Sequence, residues 1–182
     1  DVALTINQIF INNLLWYSFH RHYFDRIEID SETSLKLVSA PHFFIDPKLP
    51  QGHIKLKIHA SDKVSGVKKY IVKSPIEFEF DIILKLIKNS DGSVALQIIQ
   101  IDLESLKIEN HFIKINAFKE IVWSFVYDKI LRANKKFKSK QKLLVDKINF
   151  PPAILGIPVL ITNFKTDPRG HLILTMVYQV NH

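Results

Sequence analysis

Eight histidines are spread along this chain of 182 residues, and two pairs stand close enough to raise the question of a shared metal ion or a proton relay. His20 and His22 lie in a stretch that reads as helix, where a spacing of two sends side chains to divergent faces. His53 and His59 share the polar face of a strand with Lys55 and Lys57. Neither pair makes a ligand cluster, so both are read as exposed histidines. Glu77, Glu79 and Asp81 share one strand face and could hold a proton, but as a row they read as the solvent side of a half-buried strand facing lysines on a neighbour. Glu120 and Asp128 are read the same way on a helix. The chain has no Gly-rich phosphate loop, Gly-x-Ser-x-Gly elbow or His-Glu-x-x-His motif, and cysteine is absent. The expectation is therefore no catalytic residue, no metal site and no cofactor.

The elements around these residues can be read from the period of the apolar positions. Ile6, Ile9, Phe10, Leu14, Leu15 and Tyr17 recur at helical spacing, and Thr5 with Gln8 has the spacing of a capping box, which predicts a helix from about Ile6 to Phe24. From Arg26 the period becomes two. Ile27 and Ile29, Leu35 and Leu37, and Ile54, Leu56 and Ile58 each alternate with polar residues, with Pro41, Pro47, Pro50 and Gly52 marking a bend between them. Ile76, Phe78 and Phe80 alternate with the acidic row, and Asn89-Ser-Asp-Gly92 signals a hairpin. Val94, Leu96 and Ile98 lie at one parity and Ile99, Ile101 and Leu103 at the other, which predicts a bulge at 98/99 that bends a long strand. Leu106 and Ile108 return to the first parity.

A second helix is expected over about Ala117 to Lys136, capped by Asn116. Its only polar stripe is Glu120, Ser124, Asp128 and Arg132, so it is expected to be wrapped on most sides and to cover the apolar face of the meander. A last strand, Leu172 to Val180, follows the turn Asp167-Pro-Arg-Gly170. Between them, the uncharged stretch Phe150-Pro-Pro-Ala-Ile-Leu-Gly-Ile-Pro-Val-Leu-Ile161 is too short for a membrane span of about 20 residues. It is either a buried strand behind a turn or an apolar lip around a cavity.

With 47% apolar residues the chain can bury a substantial core, and residues 1–182 are read as a single domain. The net charge of +7 is carried entirely by the segment from Lys129 to Lys147, which holds eight basic residues and one acid. Such a patch suits anionic head groups or phosphates, or is a solvated helix end running into a polar loop. A nucleic-acid reader would add side chains aimed at bases or exposed stacking aromatics; the run offers Arg132 and Phe137, so no nucleic-acid partner is expected. The start at Asp1 shows no signal-peptide pattern and is read as truncation of a longer chain.

The order of an apolar helix, a long meander, a very apolar second helix and a Pro-bounded extended segment resembles the tubular lipid-binding (TULIP) superfamily, in particular its small single-domain bacterial lipoproteins. The residues that carry the likeness are Leu4-Thr-Ile-Asn-Gln-Ile-Phe-Ile-Asn-Asn-Leu-Leu15, the His53 to Glu109 strand region, and Phe118 to Leu131 followed by Lys147-Ile-Asn-Phe-Pro-Pro152. The resemblance implies an α+β fold in which a long curved antiparallel meander sheet wraps around one long apolar helix, with an N-terminal helix beside it. It implies non-enzymatic binding or transport of a lipid or other hydrophobic ligand, and a place in the cell envelope or periplasm. On this reading Phe10, Leu14, Phe118, Val122, Phe125, Val126, Ile130, Ile154 and Leu155 wall the groove. Lys135, Lys136, Lys138 and Lys140 meet anionic head groups or a membrane surface. The alternative is a protein-interaction or scaffold domain that docks its surplus apolar surface on a partner.

Overall fold

The computed structural model describes residues 2–28, 34–62, 75–90, 93–109, 116–140, 143–148, 153–154 and 157–178; of 109, 116–119, 121, 122, 140, 143, 145–148, 153, 154 and 157–159 it describes the backbone. The chain is α+β; the described residues form two helices and mostly antiparallel strands in two sheets. The first element is a strand, β1 (Val2–Asn7), followed by α1 (Gln8–His20). The predicted helix start at Ile6 is thus corrected. Thr5 and Ile6 pair with Ile173 and Leu172 of a distant strand, and Asn7 is the N-cap, its side-chain oxygen accepting from the Ile9 N–H at 2.8 Å. The C-terminal end stops short of Phe24. Tyr23 N–H donates to Ser18 O and His22 N–H to Phe19 O, a Schellman closure with His22 at φ 58°, in the left-handed region usually given to glycine.

The next strands are β2 (Arg26–Glu28), β3 (Ser34–Leu37), β4 (His42–Phe44), β5 (His53–Asp62), β6 (Ile76–Lys88) and β7 (Val94–Glu109). Then come α2 (Asn116–Lys140), β8 (Leu143–Ile148), β9 (Ala153–Ile154), β10 (Ile157–Asp167) and β11 (His171–Tyr178). The larger sheet runs β2-β3-β5-β6-β7-β8, with β4 also paired to β5. Its register sets Ile54, Leu56, Ile58 and Ala60 opposite Leu84, Ile82, Phe80 and Phe78, so the period-two apolar positions form one continuous buried face. The predicted bulge is present. Ile83 pairs with Gln100 but Leu84 with Ile98, leaving Ile99 extra and returning Ile101 to the core face opposite Ile82. A second irregularity falls where Glu79 pairs with Lys107 and Asp81 with Asp102; the Ser105 hydroxyl stitches it, accepting from Asp81 N–H at 2.7 Å and donating to Asp102 O at 2.6 Å.

Both helices pack on the apolar face of this sheet. From α2, Val126, Ile130, Ala133 and Phe137 join the core at i, i+4, i+7 and i+11, and buried Asn134 accepts from the Ile101 N–H at 2.8 Å, holding the helix to the bulged strand. The helix is longer than expected and carries the lysine run as far as Lys140. Nor is it wrapped on most sides among the described residues: Trp123, Lys135, Lys136 and Lys138 are exposed together with the predicted stripe Glu120, Ser124, Asp128 and Arg132. One buried stripe is enough because the sheet covers it from one side.

The second sheet, β1-β11-β10-β9, has its own core of Ile161, Leu172, Leu174 and Met176, closed against Leu86 and Val94 at the β6–β7 hairpin end. Gly52 lets the two sheets meet. It has φ 76°, and a Cβ there would stand 3.1 Å from the Phe164 ring; beside it Gln51 Oε1 accepts from Thr166 N–H at 2.9 Å. The described part of the uncharged stretch is strand: Ile157 and Pro158 pair with Ile154 and Ala153, and Ile161 enters the second core. Phe150, Pro151, Pro152, Leu155 and Gly156 lie outside the described residues, as do Ile29, Gly92 and Val180.

Candidate ligand cavity

A cavity of ≈ 430 Å³ opens on the apolar face of the larger sheet. Its wall comprises Leu15 of α1, Phe24 beyond it, Ile27 of β2, Leu37 of β3, Pro41, Leu56 of β5, Ile98 of β7 and Leu144 of β8, with Arg26 and Glu28 of β2 as the charged members. β2 and β8 are the two ends of the sheet, which lying flat would hold them about 24 Å apart at the usual strand spacing. That both reach one cavity of this size means that the sheet curls around it, and the bulge at Ile99 beside Ile98 is one source of the bend. The volume lies within the roughly 300–1,000 Å³ of small-molecule sites. Arg26 and Glu28 are exposed, so the charged groups sit where the cavity meets water.

What sets the cavity's open side is the seating of α1. The Asn12 side chain bonds the backbone of Phe43 twice, donating to its carbonyl at 2.9 Å and accepting from its N–H at 2.7 Å, and Gln8 Oε1 accepts from Ile45 N–H at 3.2 Å. These two amides, one turn apart, satisfy the free edge of β4 as another strand would. They bring Ile11, Leu15 and Phe19 against the core, with Leu15 at the cavity, and leave the opposite side of the helix outward.

The sequence-predicted wall falls elsewhere. Phe10 and Leu14 are 57% and 51% exposed on the outer side of α1. Val126 and Ile130 are core residues and Phe125 is half-buried against the same core; none of the three lines the cavity. Phe118 and Val122 lie on α2 and Ile154 on β9 with side chains outside the description, and Leu155 lies outside the described residues. Lys135, Lys136 and Lys138 are exposed on α2 away from the cavity wall, and the Lys140 side chain is outside the description. Missed by the sequence reading were Leu15, Phe24, Ile27, Leu37, Leu56 and Ile98. The usable signal was Gln8 and Asn12, polar residues at i, i+4 that mark which side of α1 meets backbone.

A cluster of ionisable groups occupies the other face of the sheet. Lys55 Nζ lies 3.2 Å from Asp46 and 3.3 Å from Asp102. Burial pushes the Lys55 ammonium down, but its hydrogen bonds to the two carboxylates outweigh it and hold the group above its ordinary pKa. Asp46 is held below the usual carboxylate range, first by the Lys48 backbone N–H and then by Lys55. Asp81 is raised by burial, opposed by Lys57 and Lys55. A lysine so paired stays charged and is neither nucleophile nor base, and these groups share no wall with the cavity. Glu77 Oε2 lies 3.3 Å from His59 Nε2 without hydrogen-bond geometry, and His20 stacks on Trp16; among the described residues no group of three or more His, Cys, Asp or Glu side chains could hold a metal. No helix among the described residues is long and apolar enough to cross a membrane.

Comparison with protein-family models, with curated proteins and with solved structures finds no match for this chain.

Proposed function

We propose that this protein binds a lipid or other hydrophobic ligand, without chemistry, in the cavity beneath the curled sheet. The observation that carries the reading is the wall itself: Ile27, Leu37, Leu56, Ile98 and Leu144 supply apolar surface from both ends and the middle of one sheet and Leu15 adds α1, with Arg26 and Glu28 at the mouth. Such a wall desolvates an acyl chain, which gains roughly 0.8 kcal/mol per methylene buried, while Arg26 offers a partner for a carboxylate or phosphate head. The curl is the feature a TULIP-like tube would share, and on that reading the protein belongs to the cell envelope.

The test is native mass spectrometry of gently purified protein, followed by solvent extraction. A near-stoichiometric bound fatty acid or phospholipid is the expected result. A protein that is apo as purified and stays apo after incubation with phospholipid vesicles contradicts it. That outcome would favour the second reading, an interaction domain, for which the observation is the apolar outer side of α1.

A further inference from the structure

We infer that the outer side of α1 is a docking surface for an anionic lipid bilayer. Ile9, Phe10, Leu14, Trp16, Tyr17 and Tyr23 are each 48% exposed or more, all within or just beyond one helix. This side cannot roll inward, because Gln8 and Asn12 tie the opposite side to Ile45 and Phe43. The composition suits a bilayer interface. Trp and Tyr have apolar bodies with polar tips and settle at head-group depth, while Ile, Phe and Leu enter the acyl boundary. A helix of 13 residues, about 20 Å long, can lie in that interface without spanning it.

Charge points to the same occupant. The chain has 18 acidic residues, and none falls between Val2 and Phe24. The ionisable groups of α1 and its C-terminal turn are basic or aromatic: Arg21 lies over the Tyr17 ring at 5.3 Å, and His20 is stacked on Trp16 at 4.0 Å with His22 beyond it. The Arg21 guanidinium, set over an exposed ring with no carboxylate between Val2 and Phe24 to compete for it, meets lipid phosphates while the rings enter the bilayer. The inference extends the ligand-binding reading, since Leu15 and Phe24 of this same segment line the cavity, so docking brings its wall to the lipid from which a ligand would be taken.

The experiment is flotation of the full chain with vesicles of phosphatidylcholine alone and of equimolar phosphatidylcholine and phosphatidylglycerol. The wild type is expected to float with the anionic vesicles and only weakly with the neutral ones. The Ile9→Asp/Trp16→Asp variant, shown to be folded by circular dichroism, should lose more than about tenfold in partitioning. Lys135→Glu/Lys138→Glu should lose less. Wild type that stays at the bottom overturns the inference, as does a lysine variant that loses as much as the α1 variant. A wild-type dimer in sedimentation equilibrium that the α1 variant abolishes, without flotation of either, assigns the surface to a second copy and also overturns it. Binding of a fluorescent fatty acid without vesicles, expected to be equal in wild type and α1 variant, judges the cavity separately; its absence from both counts against the ligand reading while flotation alone decides the docking.

Discussion

The two helices sit on the same face of the same sheet and divide their residues in opposite ways. α2 follows the ordinary rule, with Val126, Ile130, Ala133 and Phe137 in the core and Lys135, Lys136 and Lys138 exposed. α1 has a more apolar sequence, yet no residue of it is fully buried, and its polar side chains Gln8 and Asn12 point at the protein while Phe10, Leu14 and Trp16 face outward. The difference shows that apolar content does not by itself choose the inward side of a helix. At α1 the choice is made by backbone groups of β4 and the following residues that would otherwise lack partners, each costing roughly 1–3 kcal/mol if left unpaired where water is excluded.

That contrast can be broken at its strongest point first. Ile130→Ala removes a fully buried side chain from the α2 stripe and should destabilise the fold by about 2–5 kcal/mol in urea unfolding. Asn12→Leu keeps the size of the side chain but leaves Phe43 N–H and C=O without their partner, with an expected cost of about 1–3 kcal/mol and faster hydrogen exchange at the Phe43 amide. A neutral result at Asn12 would mean that packing, not hydrogen bonding, seats α1. The far face of the sheet supplies a control. Because burial raises the folded-state pKa of Asp81 above its ordinary 3.8, ionisation there opposes folding, so its contribution falls as pH rises from 3.8 through the raised value. Asp81→Asn should therefore gain stability relative to wild type as pH rises through that window and show no gain below it, by urea unfolding across the series. Smallest of all, Trp16→Ala should change stability by no more than about 0.5 kcal/mol, as for other exposed positions.

The sequence made the larger sheet legible because its strands obey a strict period of two, and a break in that period at Ile98 and Ile99 located the bulge. It made the inward stripe of α2 only half legible, since Trp123 counts as apolar in any periodic reading yet stands 46% exposed, stacked on Tyr127 at 4.7 Å. α1 was illegible in register for two local reasons. Asn7 outcompetes Thr5 as the cap once β1 pairs with β11, a partner more than 160 residues away. The helix then closes on His22, where no glycine announces the stop. With the apolar residues spread around the helix, Leu14 and Leu15 were equivalent in the pattern; the long-range bonds of Gln8 and Asn12 separate them, placing Leu15 at the cavity and Leu14 outside. The cavity itself depends on the curl that brings β2 and β8 together; the break at Ile98 and Ile99 announces one bend, but the strands that it brings to one cavity are set by long-range pairing.

On the proposed function, a hydrophobic ligand lies between the curled sheet and the inner side of α1. The most direct measurement is a crystal structure of the protein grown with excess fatty acid brominated along its chain. Anomalous density for bromine between Leu15, Leu56, Ile98 and Leu144 is the expected result. Crystals whose cavity holds no bromine, whether or not the label appears on the outer side of α1, would contradict it.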